Sequence, residues 1–201
     1  MTLLDQIAAT SAAEWVAVLL AVGYVVLAAK QHWLCWLCAF ISTGIYVVLF
    51  WRVTLPFQSM LNAYYMLMAV YGFWQWRGKH AVDKPLPVTS LSLFIHGVII
   101  VGGLSLAFAL AHIFAEQFNN DYLWLDASIH ILSMITTLMV THKKIENWLY
   151  WMVINSAAAW LYWQSGLLMT SLLMVFYVGF SIYGYMQWKR ELASTDALSA
   201  T

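Results

Sequence analysis

The sequence predicts an all-α membrane protein of seven transmembrane helices. Three observations carry that reading. Apolar residues make up 63% of the 201-residue chain and charged residues 9%, with a mean hydropathy of +0.75; a soluble domain has about 45–50% apolar and about 25% charged residues. Seven stretches reach or nearly reach the run of about 20 helical residues that crosses a hydrocarbon core. The basic residues, in addition, fall on alternate loops. With so little charge the chain cannot coat a water-facing surface, and the same composition excludes disorder. A closed barrel also satisfies backbone groups in lipid, but period-2 alternation is absent and the runs are too long. Nine Lys and Arg against nine Asp and Glu argue against a nucleic-acid partner.

The spans are placed at 12–29, 33–51, 57–76, 91–114, 122–140, 147–163 and 167–188. The first lacks a basic leader, with Asp5 and Glu14 standing there instead, so it is not read as a cleavable signal. The second holds both cysteines, Cys35 and Cys38, inside an apolar run, where cysteine behaves as a small hydrophobe. After the third comes the longest polar stretch, about 77–90 with Pro85 and Pro87, read as a connector. The fourth carries His96 and His112, 16 residues and so about 24 Å apart, which puts them near opposite faces. The tail after Arg190 is polar and expected to fray. Trp15, Trp51, Trp124 and Trp188 are expected in the interfacial belts.

Under this count Arg52 alone faces one side, while Lys30, Arg77, Lys79, Lys84, Lys143, Lys144, Lys189 and Arg190 face the other. The positive-inside rule then sets the N-terminus outside and the C-terminus in the cytoplasm. A missed helix would scramble that division.

The chain repeats itself. Trp33-Leu34-Cys35-Trp36 resembles Trp148-Leu149-Tyr150-Trp151 at an offset of 115. Tyr71-Gly72-Phe73-Trp74-Gln75-Trp76-Arg77 resembles Tyr183-Gly184-Tyr185-Met186-Gln187-Trp188-Lys189 at an offset of 112. Spans 2–3 then match spans 6–7, the fourth is the odd one, and the plan is 3+1+3. The expected parts are a first three-helix repeat over 12–76, a linking helix over 91–114 and a second repeat over 122–188. A single linking helix leaves both repeats in the same orientation. Transporters commonly hold substrate between such repeats near the midplane.

Polar groups inside membrane spans are costly and mark function. Asp126, His130, Ser133 and Thr137 share one face of the fifth span, at i, i+4, i+7 and i+11. Gln58, Asn62, Tyr65 and Ala69 share a face of the third; Trp148, Trp151, Asn155 and Tyr162 run along the sixth; Tyr177, Ser181, Gly184 and Trp188 along the seventh. Such stripes suit a cavity that lipid would not tolerate. Rings of Trp and Tyr fit a flat cationic ligand by stacking and cation–π attraction, with amides beside them for its polar edge. His-Glu-x-x-His, Gly-x-Ser-x-Gly and the P-loop signature are absent, so neither catalysis nor ATP binding is expected, and no cofactor.

The run Lys144-Ile145-Glu146-Asn147-Trp148-x-x-Trp151-x-x-x-Asn155, with Asp126-Ala127-Ser128 and Leu132-Ser133 before it, resembles the PnuC family of vitamin-precursor transporters. Tyr71-Gly72 followed by Trp76 is similar to the end of that family's third helix. The resemblance implies a seven-helix fold like that of the SWEET sugar transporters, in a bacterial inner membrane. It implies uptake of nicotinamide riboside by facilitated diffusion for NAD synthesis, with a cytoplasmic kinase trapping the product. Trp151 and Asn155 would line the substrate site, with Trp148 close by; Asn62, Tyr65, Tyr177, Asp126 and Tyr183 complete the candidates. Asn62 stands where the riboside carriers are expected to have Gln, and Ser42 and Tyr183 where Asn is expected. Those departures keep thiamine, carried by related members, as the alternative. The oligomeric state stays open. A b-type haem protein, pairing His130 with His96 or His112, and a purely structural subunit are the remote alternatives.

Overall fold

The computed structural model describes residues 12–52, 56–78, 86–117 and 122–199. Asp5 at the N-terminus and Lys79, Lys84 and Pro85 of the polar connector lie outside them. Among the described residues there are seven helices: α1 (Ala12–Ala29), α2 (Leu34–Arg52), α3 (Pro56–Phe73), α4 (Leu93–Phe114), α5 (Leu123–Thr141), α6 (Asn147–Gln164) and α7 (Leu168–Ser199). Each expected span coincides with one of them. Two ends differ from expectation. After Phe73, α3 gives way to one wide π-helical turn, Trp74–Gly78. Beyond Arg190, α7 runs on to Ser199 where fraying was expected; the segment has no Gly or Pro, and its Glu, Leu and Ala are strong helix formers.

Four helices, α1, α2, α4 and α5, are long and apolar enough to cross a membrane. The expectation of seven by that measure is met only in part. α3, α6 and α7 fall short because Gln58, Asn62, Asn147, Asn155 and a series of Trp and Tyr dilute their hydropathy.

The chain divides into two compact units, Met1–Leu86 and Pro87–Thr201. In the first, α1 packs on α2 and α2 on α3. The chain leaves α1 through a left-handed residue, Gln31, at φ 55°. The Gln31 N–H donates to Ala28 O at 3.0 Å and the His32 N–H to Leu27 O at 2.8 Å, the paired bonds of a Schellman C-cap. Pro56 opens α3, where its missing N–H costs nothing. Ser42 Oγ donates to Ala17 O at 2.8 Å and Ser59 Oγ to Val47 O at 2.9 Å, tying each helix to the one before. Trp36 meets Trp76 edge-on, centroids 5.3 Å apart. Gly72 lies against the Trp36 ring, where a Cβ would collide with it.

The second unit packs α4 on α5, α5 on α6 and α6 on α7. Gly103, Ala107 and Ala111 give α4 a small-residue face, with Gly103 against Leu132 and Ile135 of α5. The α5–α6 turn repeats the α1–α2 turn: Lys143 has φ 48°, its N–H donates to Val140 O at 3.0 Å, and the Lys144 N–H to Met139 O at 2.9 Å. Ser171 Oγ donates to Ala159 O at 2.7 Å. Trp148 meets Trp188 edge-on at 5.5 Å, with Gly184 against the Trp148 ring. A third Schellman turn, at Gly166 with φ 75°, joins α6 to α7.

These features pair at one offset of 112: Gln31 with Lys143, Ser59 with Ser171, Trp36 with Trp148, Gly72 with Gly184, Trp76 with Trp188. The turn geometry therefore puts Trp36, not Trp33, in register with Trp148, and the offset of 115 is corrected. A Trp-x-x-Trp pattern repeats at nearly one helical turn, so matching it by eye slips by a turn. Trp188 is corrected as well: it is fully buried against Trp148 and is no belt anchor. Trp15, Trp51 and Trp124 stay exposed.

Candidate substrate-binding site

The densest set of candidate residues stands on α6. Its start is fixed by the Lys143 turn and by Asn147, whose Nδ2 donates to Lys144 O at 2.6 Å. Trp148 follows, 3% exposed and held by Trp188 and Gly184. Its ring faces are taken up by packing, while its indole N–H is buried with no hydrogen-bond partner among the described residues.

Trp151 stands nearly one turn further on. It is half-buried at the edge of an apolar cluster formed by Ile129, Ile154, Ala158 and Leu161. Among the described residues no other ring stacks on it, and it remains partly exposed. One further turn on, Asn155 is 8% exposed, and its amide makes no hydrogen bond among the described residues. An amide carries two donors and an acceptor with two lone pairs, so Asn155 retains its capacity to bind. Trp151 and Asn155 thus place a partly exposed indole and an amide free to bond at i, i+4 on one helix face.

The other candidates are more committed. Asp126 pairs with His130 on α5: His130 Nδ1 lies 3.3 Å from Asp126 Oδ1 and 2.8 Å from the Asp126 carbonyl. Further along that stripe, the Thr137 hydroxyl donates to Ser133 O at 2.8 Å, closing the helix on itself. On α7, Tyr177 and Tyr183 are half-buried, and Gly184 and Trp188 are taken up by Trp148. In the first unit, Asn62 Nδ2 donates to Gln58 O at 2.9 Å and Tyr65 meets Tyr64 edge-on at 5.6 Å. The structure brings Trp148, Trp151 and Asn155 together on α6, with α7 packed along them; Asn62 and Tyr65 belong to the other unit.

The profile of the nicotinamide mononucleotide transporter family matches residues 11–190. The chain belongs to that family. It is accordingly a multi-pass membrane protein of a transporter family, not an enzyme, and the resemblance carried by Glu146-Asn147-Trp148-x-x-Trp151-x-x-x-Asn155 is borne out. Two relatives named nicotinamide riboside transporter PnuC, from Escherichia coli (strain K12) and Shigella flexneri, are each 21% identical over 173 residues. Those alignments cover 74% of this chain and 72% of the relative. The solved structure of a vitamin B3 transporter PnuC superposes with a TM-score of 0.70 at 19% identity, over 90% of this chain and 82% of that one. The chain shares its fold.

Sequence reasoning missed three residues at one end of the second unit: Glu146, which entered only as part of a motif, His96, read as merely interfacial, and Tyr150. The signal available was a carboxylate directly ahead of a helix-starting Asn.

Proposed function

We propose that this protein carries nicotinamide riboside across a bacterial inner membrane by facilitated diffusion, feeding a cytoplasmic kinase that commits it to NAD synthesis. The observation that carries the substrate site is the pair on α6: Trp151, partly exposed with no ring stacked on it, and Asn155, whose amide makes no hydrogen bond among the described residues. Trp151 stacks on the cationic pyridinium ring, and Asn155 bonds its carboxamide or ribose edge. Tyr177, Tyr183 and Asp126 are the further candidates in the same unit, where Trp148 supports α6, and Asn62 and Tyr65 are the candidates in the first unit. The chain crosses the membrane seven times in a SWEET-like 3+1+3 plan, with 12–76 and 122–188 as parallel repeats and 91–114 between them. The matched turns, serine bonds and Trp–Gly–Trp packing at one offset support that plan. The N-terminus is outside and the C-terminus cytoplasmic, on the division of basic residues.

Thiamine is the second reading, and one observation favours it. Ser42 and Asn62, where longer amides are expected in riboside carriers, give the one hydroxyl donor to Ala17 O and one of the two amide donors to Gln58 O. Fewer donors then remain for ribose hydroxyls. Calorimetry of the purified protein with both ligands tests the assignment. Heat with the riboside and none with thiamine supports the first reading, the reverse supports the second, and heat with neither overturns both.

A further inference from the structure

We propose that His96 and Glu146 are positioning residues that set the rotation of α6, acting through Tyr150. The inference rests on the substrate site just proposed, because that site is a face of α6.

Residues just ahead of α4 lie against the α5–α6 turn. The Thr89 N–H donates to Lys143 O at 3.1 Å and the Ile145 N–H to Thr89 O at 3.0 Å. Lys144 Nζ donates to Thr89 Oγ1 at 2.8 Å, and the Leu91 N–H to Glu146 Oε1 at 2.9 Å. Glu146 thereby pins the strap directly ahead of α6. The same Oε1 lies 4.0 Å from His96 Nε2, in the first turn of α4. His96 Nδ1 is 3.0 Å from the Tyr150 hydroxyl, and the two rings stack with centroids 5.7 Å apart. Strap, α4 and α6 are thus joined at one place by side chains that a lipid-facing linking helix would not need.

The angular arithmetic gives this contact its role. At 3.6 residues per turn, Trp148 and Tyr150 point about 200° apart around α6. Trp148 is clamped to α7 by Gly184 and Trp188; Tyr150 is clamped to α4 by His96. Two clamps on opposite sides fix the rotation of the helix, and Trp151 follows directly after the second. Tyr150 and Trp151 lean on the same apolar cluster, so a shift in one reaches the other. Glu146 Oε2 is buried with no hydrogen-bond partner. A buried carboxylate oxygen is costly to leave unpaired.

The test is riboside uptake into proteoliposomes by the wild type and by His96→Leu, His96→Asn, Tyr150→Phe, Glu146→Gln and the double variant His96→Leu/Tyr150→Phe. His96→Leu and Tyr150→Phe should each raise KM about threefold to tenfold, the fold-change that loss of one neutral hydrogen bond produces. The double variant should do no worse than either single one, because the two share one interaction. His96→Asn, which keeps a polar atom at the Nδ1 position, should return KM to within about twofold of wild type. Glu146→Gln keeps an acceptor for Leu91 and should raise KM less than His96→Leu does. A merely structural role lowers Vmax and Tm and leaves KM at the wild-type value; that result overturns the proposal. If His96→Leu does not accumulate, Tyr150→Phe, which removes a single oxygen, decides alone. A wild type that takes up no riboside overturns the substrate assignment instead, so the two failures are distinct.

Discussion

Replacing Gly184 with alanine should loosen the second unit by an amount the geometry fixes. A Cβ built at Gly184 lies 2.6 Å from Cε3, Cζ3 and Cη2 of Trp148, and ordinary contact begins at 3.4 Å, so the ring has to retreat by roughly 0.8 Å. It has nowhere to go: Trp148 is 3% exposed and its neighbour Trp188 is fully buried. Overpacking of this kind costs about 1–3 kcal/mol. Alanine also gains up to about 1 kcal/mol over glycine in any helix interior, which would mask part of the loss. Gly179→Ala supplies the correction, since it lies in the same helix with nothing within 4 Å of its added Cβ. The helix gain is common to both variants, so their difference isolates the packing term of about 1–3 kcal/mol. At about 2–4 °C per kcal/mol for a chain of this size, Tm in thermal unfolding should differ by roughly 2–12 °C. Gly72→Ala against Trp36 should behave as Gly184→Ala does. Equal Tm values for Gly184→Ala and Gly179→Ala would refute the packing argument and, with it, the view of Trp148 as a fixed pillar.

Four further outcomes are expected. Trp151→Ala should weaken riboside binding about tenfold to thirtyfold, as loss of a desolvated cation–π contact of about 2 kcal/mol requires; Trp151→Phe should lose less, and Trp15→Ala should leave affinity alone in calorimetry. Asn62→Gln should be mild or favourable for riboside and should weaken thiamine in a thiamine carrier; affinities for both ligands unchanged by the swap would show that Asn62 does not face substrate. Liposomes without a kinase should equilibrate riboside across the membrane, and accumulation driven by a proton or sodium gradient would refute passive transport. A reporter fused after Thr201 should be active on the cytoplasmic side only, and periplasmic activity would overturn the helix count.

Much of the fold was legible because each helix had to be a long apolar run bounded by polar residues. The ends of α1 and α6 follow directly from such boundaries at Lys30 and Glu146. The π-turn at Trp74–Gly78 was not legible: Trp-Gln-Trp-Arg reads the same as the Met-Gln-Trp-Lys segment that stays α-helical in α7. Periodicity brought Trp148, Trp151 and Asn155 onto α6 but gave all three one role, because a stripe does not say which rings a neighbour will cover. Gly184 makes that distinction, and its meaning emerges only when it is seen against an indole. His96 illustrates the same limit from the other side, since a lone histidine near a helix end gives no hint of a tyrosine 54 residues away.

The two left-handed turns set orientation against backbone ease. Gln31 and Lys143 hold φ angles that glycine adopts freely and other residues adopt at about 1–2 kcal/mol. Glycine at 31 is a substitution open to protein engineers, gaining backbone comfort without touching a charge. Glycine at 143 gains the same comfort but removes a basic residue, and in the proposed topology that cation stands on the side that directs insertion. A library selected for thermal stability alone would drift toward glycine at both turns, whereas one selected for correct insertion should keep the lysine.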